Sequence, residues 1–164
     1  MSFETVYYYN DKFEIETKWD GFTIQKGFLN IGNTRDDGGA GARIYENVTL
    51  TNCIIQDNEN YQRSDANPTD GRGGGVYSFG GTLINCYIQK NKLGRDASET
   101  TNWAACYGGG IYMNYGTLYN CVISENTVRA AYADGGGVLI ECGEFYNNTV
   151  VNNEANGSKR GAGG

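Results

Sequence analysis

Histidine is absent from the 164-residue sequence, proline occurs once, and methionine and tryptophan twice each. Without histidine there is no Ser-His-Asp triad, no imidazole base and none of the usual zinc sites. Cations are scarce: 13 Lys and Arg stand against 19 Asp and Glu, for a net charge of −6. Affinity for phosphate backbones comes from clustered cations, so this balance argues against a nucleic-acid partner. No run of about 18 apolar residues occurs, which excludes a helical membrane span. The first residues carry no basic stretch followed by an apolar one, so an export signal is not expected within this chain. No CxxC pair occurs among the five cysteines, and no cofactor or metal motif is found.

Glycine (25 residues) and asparagine (19) are abundant instead. Both are poor helix formers, which excludes a helix bundle. Hydrophobic residues at 39% and aromatics at 13% can still support a core, which argues against disorder.

The chain repeats itself. Gly73-Gly74-Gly75-Val76-Tyr77 leads to Thr82-Leu83-Ile84-Asn85-Cys86-Tyr87-Ile88, and Gly108-Gly109-Gly110-Ile111-Tyr112 to Thr117-Leu118-Tyr119-Asn120-Cys121-Val122-Ile123. A fourth copy starts at Gly135-Gly136-Gly137-Val138-Leu139, an earlier one spans residues 42–58, and Gly21 to Gly27 is a partial copy. Within each copy, short runs of Val, Ile, Leu, Tyr and Thr alternate with Gly and Asn, the pattern of strands and turns.

Stacking the copies predicts apolar columns: Ile44, Val76, Ile111 and Val138; Leu50, Leu83, Leu118 and Phe145; Ile55, Ile88, Ile123 and Val150. Two polar columns follow in the same register: Asn52, Asn85, Asn120 and Asn147, and Asn58, Asn91, Asn126 and Asn153. Asparagine tolerates the left-handed backbone of a tight corner, and stacked amides can bond along a ladder. Cys53, Cys86 and Cys121 form a column ending in Asn148, expected to be buried free thiols. Asp57, Lys90 and Glu125 alternate in sign, as a solvated, mutually compensating face does.

The expected fold is therefore an all-β parallel solenoid of about five coils over residues 20–164, preceded by an irregular segment or cap over 1–19 and continuing past the C-terminus in a longer protein. Residues 59–72, 92–107, 127–134 and 154–160 are expected to be variable connectors emerging on one side.

The motif Gly-Gly-Gly-Val/Ile-Tyr followed by Thr-Leu-x-Asn-Cys-x-Ile-x-x-Asn resembles the right-handed parallel β-helix repeats of bacterial surface and secreted proteins. Asp20-Gly21-Phe22-Thr23-Ile24 is similar to the lead-in of such proteins in the Bacteroidetes. The repeats also resemble those of chlamydial polymorphic membrane proteins, with Gly-Gly-Gly for Gly-Gly-Ala and Ile for Phe before x-x-Asn. The resemblance implies a right-handed β-helix and an extracellular or cell-surface setting; the repeat is shared by adhesins, lyases, hydrolases and tailspikes, so it assigns no chemistry.

The expected function is a non-catalytic scaffold for adhesion or for binding a glycan or protein. Its candidate ligand surface is the connector set: Tyr61, Arg63 and Arg72; Arg95, Trp103 and Tyr107; Arg129 and Tyr132. Aromatic faces and guanidinium forks suit sugar or protein recognition. One alternative is a fragment of a polysaccharide lyase or glycoside hydrolase using Asp65, Asp70, Asp96, Glu99 or Asp134. Another is a structural subunit that assembles through open solenoid ends.

Overall fold

The computed structural model describes residues 16–31, 38–62, 70–94 and 105–164. These form a parallel β-helix: every strand pairing is parallel, and the strands fall into three sheets. The second sheet shows the winding most simply. Its five strands are Thr23–Gln25, Ile54–Gln56, Tyr87–Gln89, Val122–Ser124 and Thr149–Val151, stacked in chain order. Five stacked strands mark five rungs, so the chain makes four complete turns from the first to the fifth. The first rung opens with Thr17–Asp20, which pairs with Val48–Thr51.

Two of the predicted columns hold residue for residue. Leu50, Leu83, Leu118 and Phe145 are paired in register, with Trp19 below them. Ile55, Ile88, Ile123 and Val150 are likewise paired, above Ile24. Leu50, Leu83, Leu118, Ile55, Ile88 and Ile123 belong to one buried core, whereas Trp19, Phe145 and Val150 on the end rungs are exposed. The remaining column is corrected at its first member: Ala42, not Ile44, pairs with Val76. Ile44-Tyr45 imitates Ile111-Tyr112, but the glycine turn of this rung is Gly39-Ala40-Gly41. Gly39 and Gly41 donate to Gly73 and Gly75, which sets Ala42 beneath Val76. Ile44 pairs with Ser78 instead and fills the space beside Gly81.

Two tight corners follow in each rung, and each couples a left-handed residue to an inward one. At the first corner Asn52, Asn85, Asn120 and Asn147 have φ of 53°, 55°, 54° and 56°. Outside the barrel, Asn120 Nδ2 donates to Asn85 Oδ1 at 2.8 Å and Asn85 Nδ2 to Asn52 Oδ1 at 3.2 Å. The inward residues are Cys53, Cys86 and Cys121, all buried and all free thiols. Asn148, next in that column, shows what the thiols do. Its Oδ1 accepts the Cys121 N–H at 2.8 Å and its Nδ2 donates to the Leu118 carbonyl at 3.0 Å. One rung lower, Cys121 Sγ accepts the Cys86 N–H at 3.4 Å and donates to the Leu83 carbonyl at 3.6 Å. Burial pushes the Cys53 thiol up, and the hydrogen bond with Cys121, then burial, pushes Cys86 up. The same contact draws Cys121 down.

At the second corner the left-handed residues are Lys26, Asp57, Lys90, Glu125 and Asn152, and not the predicted Asn58, Asn91, Asn126 and Asn153. Those asparagines face inward, where an amide is needed more than a flexible backbone. Asn91 Oδ1 accepts the N–H and Nδ2 of Asn58 at 3.1 and 2.9 Å. Asn91 Nδ2 donates to the Ile55 carbonyl and to Asn126 Oδ1, each at 3.0 Å. Asn126 repeats the pattern with Asn153 and the Ile88 carbonyl. The left-handed residues carry the alternating charges, and Lys26–Asp57 and Lys90–Glu125 lie 3.7 and 4.0 Å apart. Exposed pairs of this kind contribute little, about 0–1 kcal/mol each.

The third corner is the glycine triplet. Gly73 is left-handed at φ 60°, and a Cβ on Gly74 would stand 2.2 Å from the Gly109 carbonyl oxygen. A Cβ on Gly75 would stand 2.7 Å from Asn91 Nδ2. The triplet thus lets the third corner close directly onto the buried asparagine ladder.

The connectors are the second correction. Much of their length is a third sheet, with strands Glu59–Gln62, Gly71–Arg72, Lys92–Gly94, Ala105–Tyr107, Thr127–Asp134 and Glu154–Ala162, preceded by Phe28–Ile31. Its inward side chains are short or mixed, with a small core of Leu93, Cys106, Val128 and Ala133 beside buried Asn60. That composition lacks the Ile and Leu repeats that mark the other two sheets.

Candidate functional site

Five of the eight predicted surface residues fall within the described residues. Arg63, Arg95 and Trp103, with Asp65, Asp96 and Glu99, lie outside the described residues. Tyr61 is in the strand Glu59–Gln62 and stacks on Phe28 at 6.4 Å. Arg129 and Tyr132 are in the strand Thr127–Asp134, where Tyr132 lies under Lys159 and Arg160 at 5.8 and 6.0 Å. Arg72 and Tyr107, by contrast, end their strands just before the glycine corner, paired with each other on successive rungs. They reach across that corner onto the first sheet: the Arg72 guanidinium sits 5.4 Å from the Tyr112 ring centroid, and Tyr107 sits 6.4 Å from it.

There the structure reveals an aromatic face. Along the strands Ala42–Tyr45, Val76–Ile84 and Ile111–Tyr119, alternate side chains point out of the barrel. One outward column is Arg43, Tyr77 and Tyr112; the next is Tyr45, Phe79 and Tyr115. Tyr45 stacks on Phe79 at 5.9 Å, and Phe79 meets Tyr115 edge-on at 6.2 Å. Tyr77 contacts both Phe79 and Tyr112, at 4.7 and 5.2 Å. The Arg43 guanidinium lies 5.1 to 5.9 Å from the rings of Tyr45, Tyr77 and Phe79. Tyr77 and Tyr112 are buried under these neighbours, whereas Tyr115 is 37% exposed.

Carboxylates border the face. Glu46 accepts from the Tyr115 hydroxyl at 2.9 Å, and Glu141 accepts from the Tyr112 hydroxyl and, at 2.7 Å, from Asn114 Nδ2. The phenols stay neutral. Burial and then Glu141 push Tyr112 up, burial and then Asp70 and Asp134 push Tyr107 up, and Glu46 pushes Tyr115 up. Burial pulls Arg72 down, but the Tyr112 and Tyr77 phenols outweigh it and hold the guanidinium charged. The face therefore offers ring surfaces, neutral hydroxyls and fixed carboxylates.

Sequence reading missed this face because its members are scattered. Tyr77 and Tyr112 belong to the repeat motif, and Tyr45 pairs in register with Phe79, but Tyr115 joins them only through a one-residue register shift. The usable signal was an aromatic two residues after Val76-Tyr77 and three after Ile111-Tyr112. Among the described residues, no group of three His, Cys, Asp or Glu side chains is placed to hold a metal ion.

A family model described as the right handed beta helix region matches residues 11–163. No curated protein and no solved structure matches the chain.

Proposed function

The chain belongs to the right-handed β-helix family, and on that scaffold we propose that it is a non-catalytic glycan-binding module of the cell surface or extracellular space. The observation that carries this reading is the Tyr45, Phe79 and Tyr115 column, three aromatic side chains on three successive rungs of a rigid sheet. Rings so placed give apolar contact to the C–H faces of sugar units at small entropic cost. Glu46 and Glu141 stand at the margin, where carboxylates accept hydrogen bonds from hydroxyls.

Glycan-array binding tests the proposal. Phe79→Ala and Tyr115→Ala are expected to weaken the best array ligand at least tenfold, about 1.4 kcal/mol each, with the circular dichroism spectrum unchanged. Turnover of a polysaccharide that disappears in Asp70→Asn or Asp134→Asn would replace this reading with the enzymatic one.

A further inference from the structure

The second sheet, which carries none of the aromatic face, turns its own set of columns to solvent. Side chains alternate in and out along a strand. With Ile24, Ile55, Ile88 and Ile123 packed inward, the outward columns are Ile54, Tyr87 and Val122, and Gln25, Gln56 and Gln89. The glutamines form a ladder: Gln89 Nε2 donates to Gln56 Oε1 and Gln56 Nε2 to Gln25 Oε1, each at 2.9 Å. Asn52, Asn85 and Asn120 border this side at the first corner, and Lys26, Asp57, Lys90 and Glu125 border it at the second. Tyr87 stands among them 50% exposed. Ile54–Gln56, Tyr87–Gln89 and Val122–Ser124 are each paired on both sides, so no partner can join them as a further strand. A partner must meet the side chains.

The charged column selects that partner. Over the first four rungs it reads plus, minus, plus, minus, and reversed it reads as its own complement. We propose that a second copy of this chain docks on this side with its helix axis antiparallel, about a two-fold axis that runs along the strands between the second and third rungs. Such a rotation brings each column onto its own image in reverse order. Lys26 then faces Glu125 of the second copy and Asp57 faces Lys90 of the second copy, each twice by symmetry. Tyr87 lies against Ile54 in both halves. The asparagine and glutamine columns meet amide to amide, and a carboxamide carries donors and acceptors alike. Charges across an interface fix register more than affinity, and here they reject the neighbouring registers. An axis moved onto the third rung would oppose Lys90 to Lys90, and one moved onto the second rung would oppose Asp57 to Asp57. An axis moved by a whole rung in either direction keeps only two of the four opposite-charge pairs. Parallel helix axes would set the charged column against the asparagines. Four rungs of about 4.8 Å by six residues of about 3.3 Å give a footprint of roughly 400 Å² per copy. That is about half the area per partner of a standard interface, so the dimer is weak and reversible.

Sedimentation equilibrium of the full chain from micromolar to millimolar concentration tests this. The expected result is a monomer–dimer equilibrium whose dissociation constant rises at least tenfold in Tyr87→Ala, in Lys90→Glu and in Asp57→Lys, and is unchanged in Phe79→Ala on the aromatic face. Mixing the Lys90→Glu and Asp57→Lys variants should restore the dimer, because every opposed pair is then again of opposite sign. Lysine and glutamate already occupy this left-handed corner on other rungs, so both exchanges are expected to keep the fold. Should either charge variant fail to fold by circular dichroism, Tyr87→Ala alone decides, since that side chain is half in solvent. The proposal is overturned if the chain is a monomer at millimolar concentration, if Tyr87→Ala dimerises as the native chain does, if the mixture of folded charge variants stays monomeric, or if Phe79→Ala weakens the dimer as much as Tyr87→Ala.

Discussion

At the second corner, five consecutive rungs place a non-glycine residue in the left-handed region, and three of these, Lys26, Lys90 and Glu125, are of types poorly suited to it. A left-handed conformation costs an ordinary L-residue about 1–2 kcal/mol, and asparagine less because its short amide bonds locally. Asn152 at the same corner, with φ 56°, shows that asparagine is accepted there. The ion pair between Lys90 and Glu125 is 4.0 Å long, with both side chains more than half exposed, and offsets little of that cost. Glu125→Asn is therefore expected to raise stability by up to about 1 kcal/mol, while Glu125→Val, β-branched and stiff, lowers it by a similar amount or more. Urea midpoints at unchanged slope would show both effects; a destabilised Glu125→Asn would mean that the charge, not the backbone, governs this corner.

The ladders are the elements that join one rung to the next, and the inner and outer ones should differ sharply. Asn91→Ala removes four hydrogen bonds, takes the side-chain acceptor from the buried Asn58 N–H, leaves Asn58 Nδ2 only its bond to the Ile24 carbonyl, and removes a donor from the Ile55 carbonyl. At about 1–3 kcal/mol per stranded buried group, a loss of 3 kcal/mol or more is expected. Asn85→Ala gives up exposed bonds and a left-handed preference, about 1–2 kcal/mol. Chemical denaturation of the two variants side by side checks the order, and equal losses would contradict the inner ladder's role. Both ladders were legible in the sequence, because identical side chains recur at each rung: Leu50, Leu83 and Leu118 repeat one residue type, as do Ile55, Ile88 and Ile123. The third sheet was not legible, because Asn60, Leu93 and Val128 share one inward column with no common chemistry, and glycine and alanine fill the rest. The turn Gly39-Ala40-Gly41 was obscured by Ile44-Tyr45, which copies the motif two residues late. Tyr115 joins the aromatic face only through a bulged register, which a linear alignment cannot display.

Among the described residues strand pairing joins each rung only to the next, so stability is carried mainly by stacked interfaces. Even so, the two clusters are unequal. Thirteen buried residues, including Cys53, Cys86 and Cys121, form one cluster through rungs two to four, whereas Cys106 belongs to a cluster of four with Leu93, Val128 and Ala133. Local opening draws on regions with few buried apolar contacts. The third sheet should therefore open before the other two. The five cysteines sit where they can report it, because Cys142 is exposed and the other four are buried. A pulse of thiol reagent on the native chain is expected to label Cys142 alone at first. With rising urea, Cys106 should follow well before the unfolding midpoint, and Cys53, Cys86 and Cys121 should become labelled together at it, read by mass spectrometry of the digested chain. Simultaneous labelling of Cys106 with the other three would mean that the small cluster is held as firmly as the large one. Labelling of Cys53, Cys86 and Cys121 one after another would mean that the rungs open singly rather than as a unit.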